Sequence, residues 1–208
     1  CWGLDIKGEA MHGFIVTGTD TGVGKSLVSA ALLWRLRQRF ARVAGYKPIA
    51  AGCEADGSNE DVELLRQFSQ PVLTAQQSCT YLLRSACAPH LAALEQDLQL
   101  QSAPIVQAAV DLAAQSDALV VEGAGGLLVP LSVHPRLDTA EVFAQIHLAL
   151  KLPVVLVVGM RLGCINHALL TAEVLAARGL PLAAWVANCI EADMPYLADN
   201  ILTLHALL

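Results

Sequence analysis

No apolar run in this chain is long enough to cross a membrane. The longest, Leu152 to Met160, has 9 residues, against about 20 for a spanning helix. Charge is scarce: 15% of residues are charged, and 13 Lys+Arg against 19 Asp+Glu leave a formal net charge of -6. No basic block is present, which excludes a nucleic-acid-coating protein. The six cysteines, at positions 1, 53, 79, 87, 164 and 189, include no CxxC pair. Neither a zinc pattern nor the disulfide framework of a small secreted protein fits them. They read as reduced, mostly buried thiols of a cytoplasmic protein. The six histidines show no HxxxH or HExxH spacing, so Cys164, with no partnered histidine in sequence, reads as a packing residue. The start, Cys1 to Ala10, has neither Met nor a signal pattern. Met11 reads as the natural start, and residues 1-10 as an upstream extension or expression remnant. No repeat, low-complexity tract or linker divides the rest, so residues 11-208 read as one domain.

What is abundant is apolar side chain. A hydrophobic content of 55% excludes disorder, and a chain of this length buries roughly 70% of its unfolded surface around one core. Short β-branched runs alternate with amphipathic stretches. Phe14-Ile15-Val16, Arg42 to Tyr46, Ala118 to Val121, Pro153 to Val158 and Leu182 to Ala187 read as strands. Lys25 to Phe40, Asn59 to Phe68, Pro104 to Gln115, Asp138 to Leu150, Ile165 to Arg178 and the chain from Met194 onward read as helices. Asn59 is placed to cap its helix, and Asp138 and Glu141 have capping-box spacing. Residues 69-102 are the least legible, with one helical patch near His90 to Leu98. The alternation predicts a single-domain α/β phosphate-loop fold, with a mostly parallel sheet and helices on both faces.

The strongest local signal is Gly18-Thr19-Asp20-Thr21-Gly22-Val23-Gly24-Lys25-Ser26. It follows a strand and opens a helix, the context a phosphate loop requires. Backbone N-H groups at a helix start make an anion-binding concavity. Gly22 and Gly24 let the backbone approach phosphate, Lys25 can bridge the β- and γ-phosphates, and the Ser26 hydroxyl can ligate a metal. The usual GxxxxGK[ST] spacing puts a glycine at position 19. Here position 19 is Thr19, and the glycine stands one residue earlier, at Gly18.

Other candidates gather where the strands end. Glu122 closes an apolar strand, as a metal-holding acid does at the carboxyl edge of a parallel sheet; capping the next turn is its plainer role. Gly123-Ala124-Gly125-Gly126 follows, a tight turn that also leaves backbone N-H groups uncovered for a ligand. Lys47, in Gly45-Tyr46-Lys47-Pro48, is either a solvated charge or a second ammonium that steadies a transferring phosphoryl group. Asp61 is by default a helix-start acid favoured by the dipole. It becomes a metal ligand only together with Ser26 and Glu122.

In order along the chain, the phosphate loop, Gly45-Tyr46-Lys47-Pro48, Val121-Glu122-Gly123-Ala124-Gly125-Gly126, Leu162-Gly163-Cys164-Ile165-Asn166-His167-Ala168 and Trp185-Val186-Ala187-Asn188 resemble the dethiobiotin synthetase family. The shifted glycine is itself a trait of that family. The resemblance implies an ATP- and Mg²⁺-dependent ligase that closes the ureido ring of dethiobiotin from 7,8-diaminopelargonic acid and CO₂. A carbamate forms on one amine, ATP phosphorylates it, and the second amine displaces phosphate. Thr21, Lys25 and Lys47 are the implied catalytic residues. Gly22, Val23, Gly24, Lys25, Ser26 and Leu27 would hold nucleotide, with Asp61, Glu122, Gly123, Ala124 and Gly125, and with Asn188 and Cys189 near the adenine. Ser26, Asp61 and Glu122 would surround Mg²⁺. Lys47, Ala51 and Gly125 would meet the substrate, whose carboxylate would take Leu162, Gly163 and Asn166 of a partner subunit. That implies a cytoplasmic homodimer with sites at its interface, and neither nucleic acid nor membrane as a partner.

Three departures from the family pattern stand out. Ala51 replaces a hydroxyl residue four positions after the active-site lysine. Gly22 stands where many members have Glu. The chain stops at Leu208, before the segment that helps enclose the adenine, which leaves base selectivity open. A nucleotide-sensing phosphate-loop module and a partitioning-type switch ATPase are the alternatives. The presence of Lys47 and Glu122 weighs against the first. The absence of an early signature lysine among Thr19, Asp20 and Thr21 weighs against the second.

Overall fold

The computed structural model describes residues 11-208; the expected extension at residues 1-10, with Cys1, lies outside the described residues. The elements run β1 (His12–Gly18), α1 (Lys25–Leu36), β2 (Val43–Tyr46), β3 (Ile49–Ala51), α2 (Glu60–Phe68), α3 (Ala75–Ser78), β4 (Tyr81–Leu83), α4 (Pro89–Leu94) and α5 (Ser102–Gln115). They continue β5 (Ala118–Glu122), β6 (Pro130–Ser132), β7 (Leu137–Asp138), α6 (Thr139–Leu150), β8 (Val154–Gly159), α7 (Cys164–Ala177), β9 (Leu182–Asn188) and α8 (Leu197–Leu207).

Five of the strands form one parallel sheet in the order β2-β5-β1-β8-β9. Successive side chains of a strand point to opposite faces, and both faces here are covered. On one, Val16, Ala118, Val120 and Val157 pack with Leu33 of α1 and Leu65 of α2. On the other, Ile15, Leu119, Val121 and Val154 pack with Ile105 of α5 and Phe143 and Ile146 of α6. Farther along that second face, Leu156 and Val158 meet Cys164 and Ala168 of α7 and Leu204 of α8. This is why β5 and β8 read as continuous apolar runs: every residue of both is buried. Each such Leu or Val contributes about 1.5–3 kcal/mol on leaving water. No helix among the described residues is long and apolar enough to cross a membrane.

The sheet and most helices match the sequence reading, and the differences have local causes. α1 stops at Leu36 rather than Phe40: the chain turns through residues 37-39, and Phe40 stacks on His12, ring centroids 4.7 Å apart. Asn59 does cap α2, accepting the Val62 N-H at 3.2 Å. Asp138 accepts the Glu141 N-H at 3.0 Å, but the reciprocal half of a capping box is replaced by a Glu141–Arg178 contact of 2.9 Å. The patch at 90-98 shortens to α4, since the chain turns through Asp97 at φ 51. The helix expected from Pro104 begins at Ser102, and the last one begins at Leu197 rather than Met194. Two small sheets escape prediction altogether, the parallel pair β3-β4 and the hairpin β6-β7. Each strand in them has two or three residues, too few for a period to register. Among the described cysteines, only Cys79 and Cys164 are buried, while Cys87 and Cys189 are exposed and Cys53 is intermediate. That corrects the expectation of mostly buried thiols: Cys87 and Cys189 sit on loops at the sheet edge.

Candidate active site

The chemistry collects at the carboxyl edge of the central strands, where parallel sheets place ligands. β1 leads into the loop 19-24, which is tied to β8 by the Thr19 N-H donating to the Val157 carbonyl at 3.0 Å. Gly24 enters α1 with φ 89, and a Cβ there would lie 2.2 Å from Asn188 Nδ2; only glycine fits. No side chain caps α1, so its first N-H groups remain available to an anion. Lys25 Nζ donates to the Asp20 carbonyl at 2.9 Å. Lys25 is 6% exposed. Burial and the charge of Lys47 lower its pKa to about 8, against the partial opposition of Glu122, Asp61 and Asp20.

Three more elements aim side chains at the same place. β5 delivers Glu122, which is fully buried and pairs in register with Val16 of β1. The first turn of α2 delivers Asp61. The chain after β2 delivers Lys47, held by its own N-H donating to the Ser78 carbonyl at 2.8 Å. Lys47 Nζ lies 2.6 Å from Glu122 Oε1 and 2.7 Å from Asp61 Oδ2. Ser26 Oγ lies 2.6 Å from Asp61 Oδ1 and 2.8 Å from Glu122 Oε1; its single proton serves one of them at a time. Burial alone would lower the Lys47 pKa, but Glu122 and Asp61 outweigh it and hold the ammonium above its ordinary value. Asp61 is pushed up by burial and down, more strongly, by Lys47 and Ser26, and ends below the usual carboxylate range. Glu122 Oε2 is buried without a hydrogen-bond partner.

Ser26, Asp61 and Glu122 thus present converging oxygens, one of them orphaned. That donor set suits a small hard cation which completes its shell with phosphate oxygens and water. Among the described residues no group of three or more His, Cys, Asp or Glu could hold a metal unaided. The arrangement opens onto a cleft of about 860 Å³ whose lining includes Lys25, Ser26, Lys47 and Asp61.

Most of the residues singled out from sequence face this cleft. Thr21, Gly22, Gly24, Leu27, Ala51, Ala124 and Gly125 line it. Gly125, at φ 62, sits against Thr21: a Cβ there would be 3.4 Å from Thr21 Oγ1. Gly123 donates its N-H to the Val16 carbonyl at 2.9 Å, and a Cβ there would meet the Phe143 ring at 2.7 Å. Val23 is buried under the loop, and its carbonyl accepts from Asn188 Nδ2 at 2.8 Å. Cys189 follows Asn188 at the end of β9, exposed. Leu162, Gly163 and Asn166 stand apart. They lie at the start of α7, outside the cleft lining, with Leu162 96% exposed.

Two features had no sequence signal. Cys87, Pro89 and Leu128 also line the cleft, from segments with no motif. Arg161 pairs with Asp20 of the phosphate loop, across 141 positions of chain.

A five-stranded parallel sheet whose central strand feeds a glycine-rich loop, a lysine and a helix N-terminus defines a phosphate-loop nucleotide-binding protein. The family model described as an AAA domain matches residues 12–206. The solved structure titled chimerical protein CapA2B2 shares the fold, with a TM-score of 0.50 at 13% identity, covering 89% of this chain and 79% of that one. The ATP-dependent dethiobiotin synthetase BioD of Ralstonia nicotianae is 50% identical over 193 residues, 91% of this chain and 82% of the relative. The enzyme of the same description from Janthinobacterium sp. is 46% identical over 198 residues, 92% and 81% respectively. The chain belongs to the dethiobiotin synthetase family.

Proposed function

We propose that the protein is an ATP-dependent ligase of biotin biosynthesis that closes the ureido ring of dethiobiotin from 7,8-diaminopelargonic acid and CO₂. One observation carries this reading: two buried ammonium groups, Lys25 and Lys47, converge on one cleft beside Ser26, Asp61 and Glu122. A nucleotide sensor needs Lys25; it has no use for Lys47.

The reaction brings two anions together, a carbamate and the γ-phosphate. One substrate amine takes up CO₂ and loses a proton. The carbamate oxygen attacks the γ-phosphorus, and ADP leaves. The second amine then attacks the carbamic-phosphoric anhydride carbon, forming the second C–N bond as phosphate departs and a proton is released. Lys25 holds the phosphates against the loop N-H groups, with Thr21 adding a hydroxyl. Lys47 offsets the charge concentrated where carbamate meets phosphorus. Holding the reacting groups in line removes the entropy cost of an encounter. Ser26, Asp61 and Glu122 fit Mg²⁺, which when bound neutralises phosphate charge. In this reading Asn188 and Cys189 serve the adenine, and Ala51 and Gly125, which line the cleft, meet the substrate.

The exposed start of α7 supports a homodimer. Leu162, Gly163 and Asn166 lie outside their own subunit's cleft, and a helix N-terminus suits a carboxylate. The partner copy then supplies the substrate-carboxylate site, and the enzyme works in the cytoplasm.

The decisive experiment supplies diaminopelargonate, bicarbonate, Mg²⁺ and ATP and detects dethiobiotin by mass. Stoichiometric ATP consumption and dethiobiotin formation are the expected result. ATP hydrolysis without dethiobiotin overturns the ligase and leaves a nucleotide switch.

A further inference from the structure

Asp20 sets an acid inside a loop built to receive anions. Its carbonyl accepts from Lys25 Nζ at 2.9 Å, its Oδ1 accepts the Thr21 N-H at 2.7 Å, and its Oδ2 pairs with the Arg161 guanidinium. One residue thus ties together the catalytic lysine, the loop backbone and a distant cation. Arg161 comes from the turn just after β8, the direct ladder neighbour of β1. The end of β8 is itself tied to the loop by the Gly159 N-H reaching Thr19 Oγ1 at 3.4 Å. Asp20 lines the nucleotide cleft, whereas Arg161 is not among its lining residues.

We propose that Arg161 is a positioning residue for ATP binding, acting through Asp20. It cancels a carboxylate that would otherwise repel the incoming phosphates. A half-exposed ion pair contributes little to stability, and the side chains here are 36% and 45% exposed. The pair is therefore better explained by the charge it neutralises than by fold stability. A negative charge left unmatched several ångströms from a phosphate costs about three- to tenfold in affinity at dielectric values between those of protein and water.

The inference rests only on nucleotide binding, not on ring closure, and its test separates the two. ATP affinity by calorimetry, and KM and kcat by the ring-closure assay, are compared for the parent, Arg161→Gln, Asp20→Asn, Arg161→Lys and the double variant. Arg161→Gln raises Kd and KM for ATP about three- to tenfold, with kcat at saturating ATP within about twofold. Asp20→Asn keeps the acceptor for the Thr21 N-H and removes the acid. In the Arg161→Gln background it restores affinity to within about twofold of the parent, and Arg161→Lys retains most of it. An unchanged Kd in Arg161→Gln overturns the proposal by making the pair an inert surface contact. A loss that Asp20→Asn leaves unrelieved also overturns it, because Arg161 then touches phosphate directly. A parent that binds ATP yet makes no dethiobiotin sinks the ligase reading while the affinity comparison still decides the role of Arg161.

Discussion

Replacing Lys47 by Ala separates a catalyst from a nucleotide sensor. The Lys47 side chain is 5% exposed, and its ammonium bridges Glu122 and Asp61 at 2.6 and 2.7 Å. Breaking a buried pair from one side costs about 3–5 kcal/mol in stability. Here the cost falls at the lower end, because the Asp61 side chain is 43% exposed and Lys25 remains close enough to act on both acids. A domain with about 5–15 kcal/mol of stability stays folded after that loss. The catalytic loss is larger in kind. One preorganised charge-assisted contact in a partly dry site is worth roughly 3–4 kcal/mol of transition-state stabilisation, a 10²–10³-fold drop in kcat. Ground-state nucleotide binding depends on the loop and Lys25, so ATP affinity by calorimetry stays close to that of the parent. Lys47→Gln keeps much of the length without the charge and rescues little. Product formation within about threefold of the parent, a ΔΔG‡ under about 0.7 kcal/mol, would refute the catalytic assignment and return Lys47 to a structural bridge.

Lys25 carries a pH prediction. Its folded-state pKa of about 8 lies below its ordinary value, so the unfolded chain binds more protons between about 8 and 10.4, and Lys25's contribution to stability is unfavourable at pH 7 and recovers as pH rises through that window. Lys25→Met therefore stabilises the nucleotide-free protein at pH 7 by about 1–3 kcal/mol, seen as a raised Tm, and abolishes nucleotide-dependent turnover; an unchanged or lowered Tm contradicts the burial argument. Glu122→Gln raises the Mg²⁺ concentration needed for half-maximal activity, read from a metal titration, and an identical titration curve makes Glu122 a turn residue. Asn59→Ala removes the cap of α2 and costs about 1 kcal/mol, a fall in Tm of about 2–4 °C. Because Asp61 follows two positions later, it also raises the Mg²⁺ concentration needed for half-maximal activity, whereas a Tm fall with unchanged metal titration shows that Asp61 needs no cap to hold its place.

The elements that carry a local period or motif were readable from residues alone. β5 and β8 announce themselves as apolar runs because both of their faces are covered. The phosphate loop is legible because its strand, glycines, lysine and helix are contiguous, and Asn59 because a cap acts on an N-H three residues away. What tertiary structure alone decided is the meeting of distant side chains. Ser26 and Asp61 are 35 positions apart, Lys47 and Glu122 75, and Ser26 and Glu122 96. They touch only because β5 lies between β2 and β1, an order that no local pattern encodes. By itself Lys47 reads as a solvated surface charge; the fold buries it between two acids. The strands β3, β4, β6 and β7 were invisible because each is too short to carry a period, and β3 and β4 in addition pair across about 30 residues of chain. Likewise, the Asp20–Arg161 pair exists because two adjacent parallel strands end at one edge, a juxtaposition set by packing rather than by spacing along the chain.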